Sequence, residues 1–251
     1  MKHRNDSKGN QLRYAALALL TVVSTPLCAE TGTAQGLGIA QPLSAHNFVS
    51  GDVGPIINDS GEICRVCHVP HDHARASQRY LNGLLWNHDV SSATYTMYNN
   101  TWSKTLTGTQ SAQPDGHSKL CLGCHDGTVA MDAFDKYVSD GTNTMRMLHG
   151  LTVVPWFQDG ANLDLRGTHP ISVAFPAGEA GDGKNFANPA TATWAKGQTI
   201  ASTLDNGKVQ CSTCHDVHDQ ESIPGTHLLR TANSPAEGGV PSGLCLTCHI
   251  K

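Results

Sequence analysis

Aromatic side chains make up only 6% of this 251-residue sequence, and charged ones only 15%. A chain so poor in large rings has little from which to build a core of its own. Convincing amphipathic helices are few, because 25 Gly and 12 Pro interrupt long polar stretches. Long apolar runs are lacking as well. YAALALLTVV at 14–23 falls well short of the ~20 residues that span a bilayer, and no later segment is apolar enough to span one. No paired carboxylates, Ser-His-Asp set or phosphate-cradling Gly-rich loop stands out.

The apolar run follows the basic segment MKHRNDSKGNQLR and precedes STPLCA. A charged start, a short apolar stretch and a small residue before the cut form a secretory leader. The expectation is a leader at 1–29, cut after Ala29, and a mature chain outside the cytoplasm. It would be secreted, extracellular or at the outer surface, or periplasmic if it acts as a shuttle. Lipid attachment at Cys28 is the rival reading, against which large Leu27 stands where a small residue belongs. Removal of Lys2, Arg4, Lys8, Arg13 and Asp6 leaves 13 basic and 20 acidic residues, a net of −7. That balance argues against nucleic acid as a partner and against docking on an anionic membrane.

What the sequence does have is cysteine and histidine. Eight cysteines remain after the leader, and an even count in a secreted chain ordinarily means disulfides. Here all eight fall inside CxxCH motifs: Cys64, Cys67 and His68; Cys121, Cys124 and His125; Cys211, Cys214 and His215; Cys245, Cys248 and His249. Two thiols at this spacing can add to the two vinyl groups on one haem edge, and the next histidine then binds the iron. CxxCH is the sequence sign of c-type haem attachment, and histidine is a usual axial ligand. A zinc knuckle pairs one CxxC with another and needs no histidine after each. A redox dithiol needs none either. Four of four motifs carry it, so the reading is four covalently attached haem c groups.

Haem would replace the missing apolar core, much as metal supplies folding energy to small domains. The expected fold is mostly irregular, with short helices at the motifs, a few short strands (92–98 and 171–175) and four haems at its centre. Residues 177–198 read as a long surface loop.

The chain also reads twice. Each half has an early lone histidine (His46, His169), a CxxCHxxH (64–71, 211–218), a Leu-Leu pair (Leu84-Leu85, Leu228-Leu229) and an LCLxCH (120–125, 244–249). This suggests dihaem modules at 30–150 and 151–251, joined into one unit rather than separable.

Four motif histidines fill four of eight axial positions, and nine others remain: His46, His71, His73, His88, His117, His149, His169, His218 and His227. His73, His117 and His227 read as surface imidazoles. Met97, Met131, Met145 and Met147 are rival ligands that so many histidines make unnecessary. Chain reach constrains His71. With metal–imidazole bonds of ~2 Å, the two Cα atoms across a bis-histidine haem stand about 12 Å apart. Three extended residues reach at most about 10–11 Å. His71 therefore cannot complete the iron of His68, nor His218 that of His215, and as ligands each would serve a different haem. His169, stiffened by Pro170, His88, beside an apolar LLW surface, and His46, on an N-terminal arm, bring the distal candidates to five.

CHVPH, LWNH, CLGCHDGTVA, HPISVAF, CSTCHDVH and LCLTCH follow in that order across most of 44–250. The chain thereby resembles the secreted multihaem c-type cytochromes with doubled CxxCH motifs, above all the tetrahaem subunits of extracellular cytochrome filaments. The resemblance implies electron transfer along a bis-histidine haem chain by a head-to-tail homopolymer. It also implies that His46, near the N-terminus, ligates a haem of the neighbouring subunit. One of His71, His88, His169 and His218 would then still be idle. The alternatives are a discrete periplasmic shuttle, which like the filament would meet other redox proteins or extracellular acceptors, and a multihaem reductase. Catalysis needs an open iron position, and four motif histidines with abundant distal ones argue against an enzyme.

Overall fold

Cysteines three residues apart fall on one face of a helical turn, and each CxxC forms such a turn. The computed structural model describes residues 38–49, 56–58, 61–69, 84–129, 133–134, 145–147, 163–176 and 185–250, with backbone alone at 56–58 and 145–147. Cys64–Val66 is a 3-10 turn. The second motif ends helix α1 (Gly116–His125), the third is α3 (Cys211–Cys214) and the fourth lies in α4 (Gly243–Cys248). One further helical turn, α2 (Ile200–Thr203), carries no motif.

Strands are as short. β1 (Ile56–Asn58) pairs antiparallel with β2 (Met145–Met147), and β3 (Val173–Ala174) with β4 (Lys208–Val209). Of the expected strands, 171–175 shrinks to the two residues of β3. Residues 92–98 contribute a single bridge, Thr96 to Asp164. Regular structure covers 23% helix and 12% strand of the described residues.

Residues 33–251 cluster as one unit, and 1–32 lie outside the described residues. Bonds between the two sequence halves are numerous within that unit. Ser172 Oγ accepts from the Asp115 amide (3.0 Å) and donates to Gln210 (3.0 Å). Gln210 and Lys208 both donate to the Asp115 carboxylate, at 2.7 and 2.5 Å. Gly116 makes this approach possible: its φ is +48°, and a Cβ there would stand 2.1 Å from the Asp205 carboxylate.

Among the described residues two small apolar clusters form, and both lean on motif residues. Tyr95, Leu122 and Leu165 pack with Met97 and Ile171, Leu122 being inside the second motif. Phe175, Trp194 and Ile200 pack with Phe186, Leu204, Cys214, Leu244 and Cys248. Trp194, only 2% exposed, corrects the surface-loop reading for 185–198. Its indole donates to Thr203 Oγ1 (2.9 Å), while residues 177–184 lie outside the described set. Trp194→Ala is expected to cost about 3–5 kcal/mol, as large core truncations do, seen as a lowered denaturant midpoint of the mature protein.

Candidate haem sites

The first and third motifs are built alike. The amide of His68 donates to Cys64 O (2.7 Å), and that of His215 to Cys211 O (3.0 Å). A second segment then lies across each motif. Asn87 N donates to Cys67 O and Arg230 N to Cys214 O, both at 2.9 Å. Val69 N donates to Leu85 O (2.9 Å) and Asp216 N to Leu228 O (2.8 Å). Even the side chains agree: Asn87 Nδ2 donates to Arg65 O and Arg230 Nε to Ser212 O. This register corrects the sequence alignment of the repeat by one residue. Leu84-Leu85-Trp86-Asn87 matches His227-Leu228-Leu229-Arg230, because the backbone ladder, not the Leu-Leu spelling, sets the pairing.

The motif cysteines follow one another in space as in sequence. Burial, then the charge of Cys64, pushes the Cys67 thiol up to about 12. Cys124 is raised by burial and by Cys67. Cys121 donates its S–H to Cys211, which raises Cys121 and lowers Cys211. Burial and Cys211 lift Cys214 to about 11, with Cys245 adding to the shift. Burial and Cys214 lift Cys248 to about 12. First therefore neighbours second, second neighbours third, and third neighbours fourth. The central contact rests on α1 meeting α3, where Ser118 Oγ accepts from the Cys211 amide (3.0 Å). Most of these thiols resist becoming thiolates, the form that zinc requires. A thioether is neutral and suits the same burial. Cys64 and Cys245, in the terminal motifs, are exposed.

Among the described residues no three His, Cys, Asp or Glu side chains gather into a metal cluster. Histidines meet in pairs instead. The rings of His68 and His218 stack at 6.3 Å, 20° from parallel. Those of His46 and His125 stand 6.2 Å apart, and those of His169 and His249 6.4 Å apart. An iron between two imidazoles, at ~2 Å per bond, needs ring centroids about 6.3 Å apart, since the ligating nitrogen lies ~1.1 Å from its centroid. All three spacings fit, and each pair joins one motif histidine to one distal candidate.

Hydrogen bonds also orient the rings. Nδ1 faces a backbone carbonyl in His68 (Leu84 O, 2.6 Å), His215 (His227 O, 2.7 Å), His46 (Val217 O, 3.3 Å), His169 (Pro170 O, 2.9 Å) and His88 (Asp89 O, 2.8 Å). With Nδ1–H so engaged, Nε2 carries the lone pair, the arrangement of ligating histidines. Burial lowers His46, His125 and His215 below the ordinary histidine range, His125 to about 4, and so keeps the neutral, ligating form.

His46 is no free arm. Gly38 N donates to Asp219 O (2.6 Å), and Asn47, 2% exposed, anchors the segment through Ala40 O and Gln41 O at 3.0 Å each. The His46 ring thereby stands beside that of His125 in its own chain. His88 is fully buried against α1, where a Cβ on Gly123 would approach Asp89 O at 2.6 Å. His117 is half-buried, with Nδ1 2.8 Å from Ser212 Oγ, rather than a solvated surface imidazole, whereas His227 is exposed. Met97 packs in the Tyr95 cluster, and the Met145 and Met147 side chains are not described. His71, His73, His149 and Met131 lie outside the described residues.

Asp126 and Asp216 act as turn residues, as their place after each motif suggests. Asp126, fully buried, accepts from Thr128 N (2.7 Å) and from the Tyr95 hydroxyl. Asp216 accepts from the amides of His218, Gln220 and Glu221. Sequence reasoning missed Asp115, Ser118, Ser172 and Gln210, which set α1 on α3. Short polar side chains carry no periodicity that would mark them.

No family model matches the chain, and a search of curated proteins finds no match. No helix among the described residues is long and apolar enough to cross a membrane.

Proposed function

We propose that this protein is a tetrahaem c-type cytochrome that carries electrons through a series of bis-histidine sites. The supporting observation is the meeting of three motif histidines with three distal histidines at the spacing an iron requires. Haem c would be held by Cys64 and Cys67, Cys121 and Cys124, Cys211 and Cys214, and Cys245 and Cys248, and supplies a one-electron iron couple when bound. The chain orders these sites, excludes water from the inner thiols and orients His46, His68, His169 and His215 by their Nδ1 bonds.

The repeat supplies the fourth pair. His71 holds in CRVCHVPH the place of His218 in CSTCHDVH. Since His218 meets His68 of the other module, His71 is the proposed partner of His215. All four distal positions then come from one chain, and His88 is surplus to them. With both positions of each iron taken, the reading is an electron carrier, not an enzyme.

The terminal sites, with exposed Cys64 and Cys245, are where electrons would enter and leave toward other redox proteins or an extracellular acceptor. A filament, the finer proposal carried by the resemblance, would be joined through these ends. The discrete shuttle is the alternative. The mature protein is expected to exceed its polypeptide mass by four haems and to show only low-spin ferric iron in paramagnetic resonance. A haem-free mass would overturn the proposal, and high-spin iron in the unaltered protein would favour a reductase. Negative-stain microscopy separates fibres from monomers.

A further inference from the structure

Leu85 and Leu228 both adopt the left-handed backbone conformation, with φ of +51° and +59°. Leucine rarely does so. The two occupy the same register in the two halves, each lying across a CxxCH. In an extended segment successive carbonyls point to opposite sides. The positive φ turns two consecutive carbonyls onto the motif instead. Leu84 O meets Nδ1 of His68 (2.6 Å) while Leu85 O accepts from Val69 N (2.9 Å). His227 O meets Nδ1 of His215 (2.7 Å) while Leu228 O accepts from Asp216 N (2.8 Å). An unusual conformation repeated at two equivalent points, each beside a proposed iron ligand, suggests a function for the strain.

We infer that Leu85 and Leu228 are positioning residues that set the reduction potentials of the irons ligated by His68 and His215. The inference rests on the tetrahaem reading above. A carbonyl accepting from Nδ1–H makes the imidazole a stronger donor through Nε2. A stronger donor favours ferric over ferrous iron, so the left-handed leucine keeps the potential low. The leucine side chain is not the agent; the peptide orientation is. Glycine adopts this conformation freely, whereas a β-branched residue resists it.

The test is Leu85→Val beside Leu85→Gly in the haem-loaded protein, with Leu85→Thr as a second β-branched variant. Leu85 is 38% exposed, so its side chain contributes little to the core. The readouts are haem count by mass, the four reduction potentials and the Nδ1–H resonance of isotope-labelled histidine. Leu85→Val and Leu85→Thr are expected to retain four haems, shift one potential upward and move one Nδ1–H resonance. Leu85→Gly is expected to leave both unchanged. Four haems with unmoved potentials in both β-branched variants would overturn the inference alone, as would equal shifts in valine and glycine. Absence of haem from the unaltered protein would overturn instead the reading on which it rests.

Discussion

His218→Ala is expected to turn one of four low-spin irons high-spin, and that iron is the one held at Cys64 and Cys67. His218 stands three residues from His215, so the simplest expectation from sequence would be damage at the third motif. Chain reach forbids it, because three residues cannot carry an imidazole around a porphyrin edge. The structure places the His218 ring parallel to that of His68 at 6.3 Å, with its own segment pinned by the Asp216 carboxylate. On the proposed reading alanine removes the sixth ligand of that site, and His218 is exposed, so little packing is lost with it. Electron paramagnetic resonance counts the high-spin iron. Repeating the substitution in a protein lacking Cys64 and Cys67 locates it: the high-spin signal should then be absent. A signal that persists places His218 on another site and breaks the pairing. His71→Ala is the reciprocal case, expected to act at the site of Cys211 and Cys214.

How much of this was legible in the sequence depends on the kind of signal. The expected short helices at the motifs were legible, since CxxC spacing fits one helical turn, and each motif lies on such a turn. That His218, if a ligand, would serve a site other than that of His215 followed from bond lengths and chain length alone. Which site it faced did not, because it depends on α1 meeting α3 through Asp115, Ser172 and Gln210, residues with no pattern. The anchoring of the His46 segment was hidden for a related reason. Its position near the N-terminus suggested a free arm, while Asn47 and Gly38, which dock it, are too ordinary to signal an anchor. The Leu-Leu pairs marked the repeat correctly but set its register one residue off. Trp194 sat among Gly, Asn and Ala, and composition hid a core residue inside what read as a loop.

The chain made without haem is expected not to fold. The described helices outside α1 are four to six residues long, while isolated helices below ~12–15 residues are marginal in water. The strands are two or three residues long and paired in twos, and an isolated two-stranded pair is marginal as well. Neither apolar cluster is large, and both rest on motif residues: Leu122 in one, Cys214 and Cys248 in the other. Several motif thiols, among them Cys67, Cys121 and Cys124, are partly buried, and among the described residues the apolar material around them is modest. Bound haem would supply that surface and, through two thioethers and two axial bonds per site, tie segments far apart in sequence. Cytoplasmic expression without haem attachment should therefore give a far-ultraviolet spectrum of disordered chain, no cooperative thermal transition and rapid amide exchange throughout. The haem-loaded protein should melt cooperatively. A cooperative melt of the haem-free chain would mean that the small clusters suffice, and would return the CxxCH turns to the status of ordinary dithiol loops on a self-supporting fold.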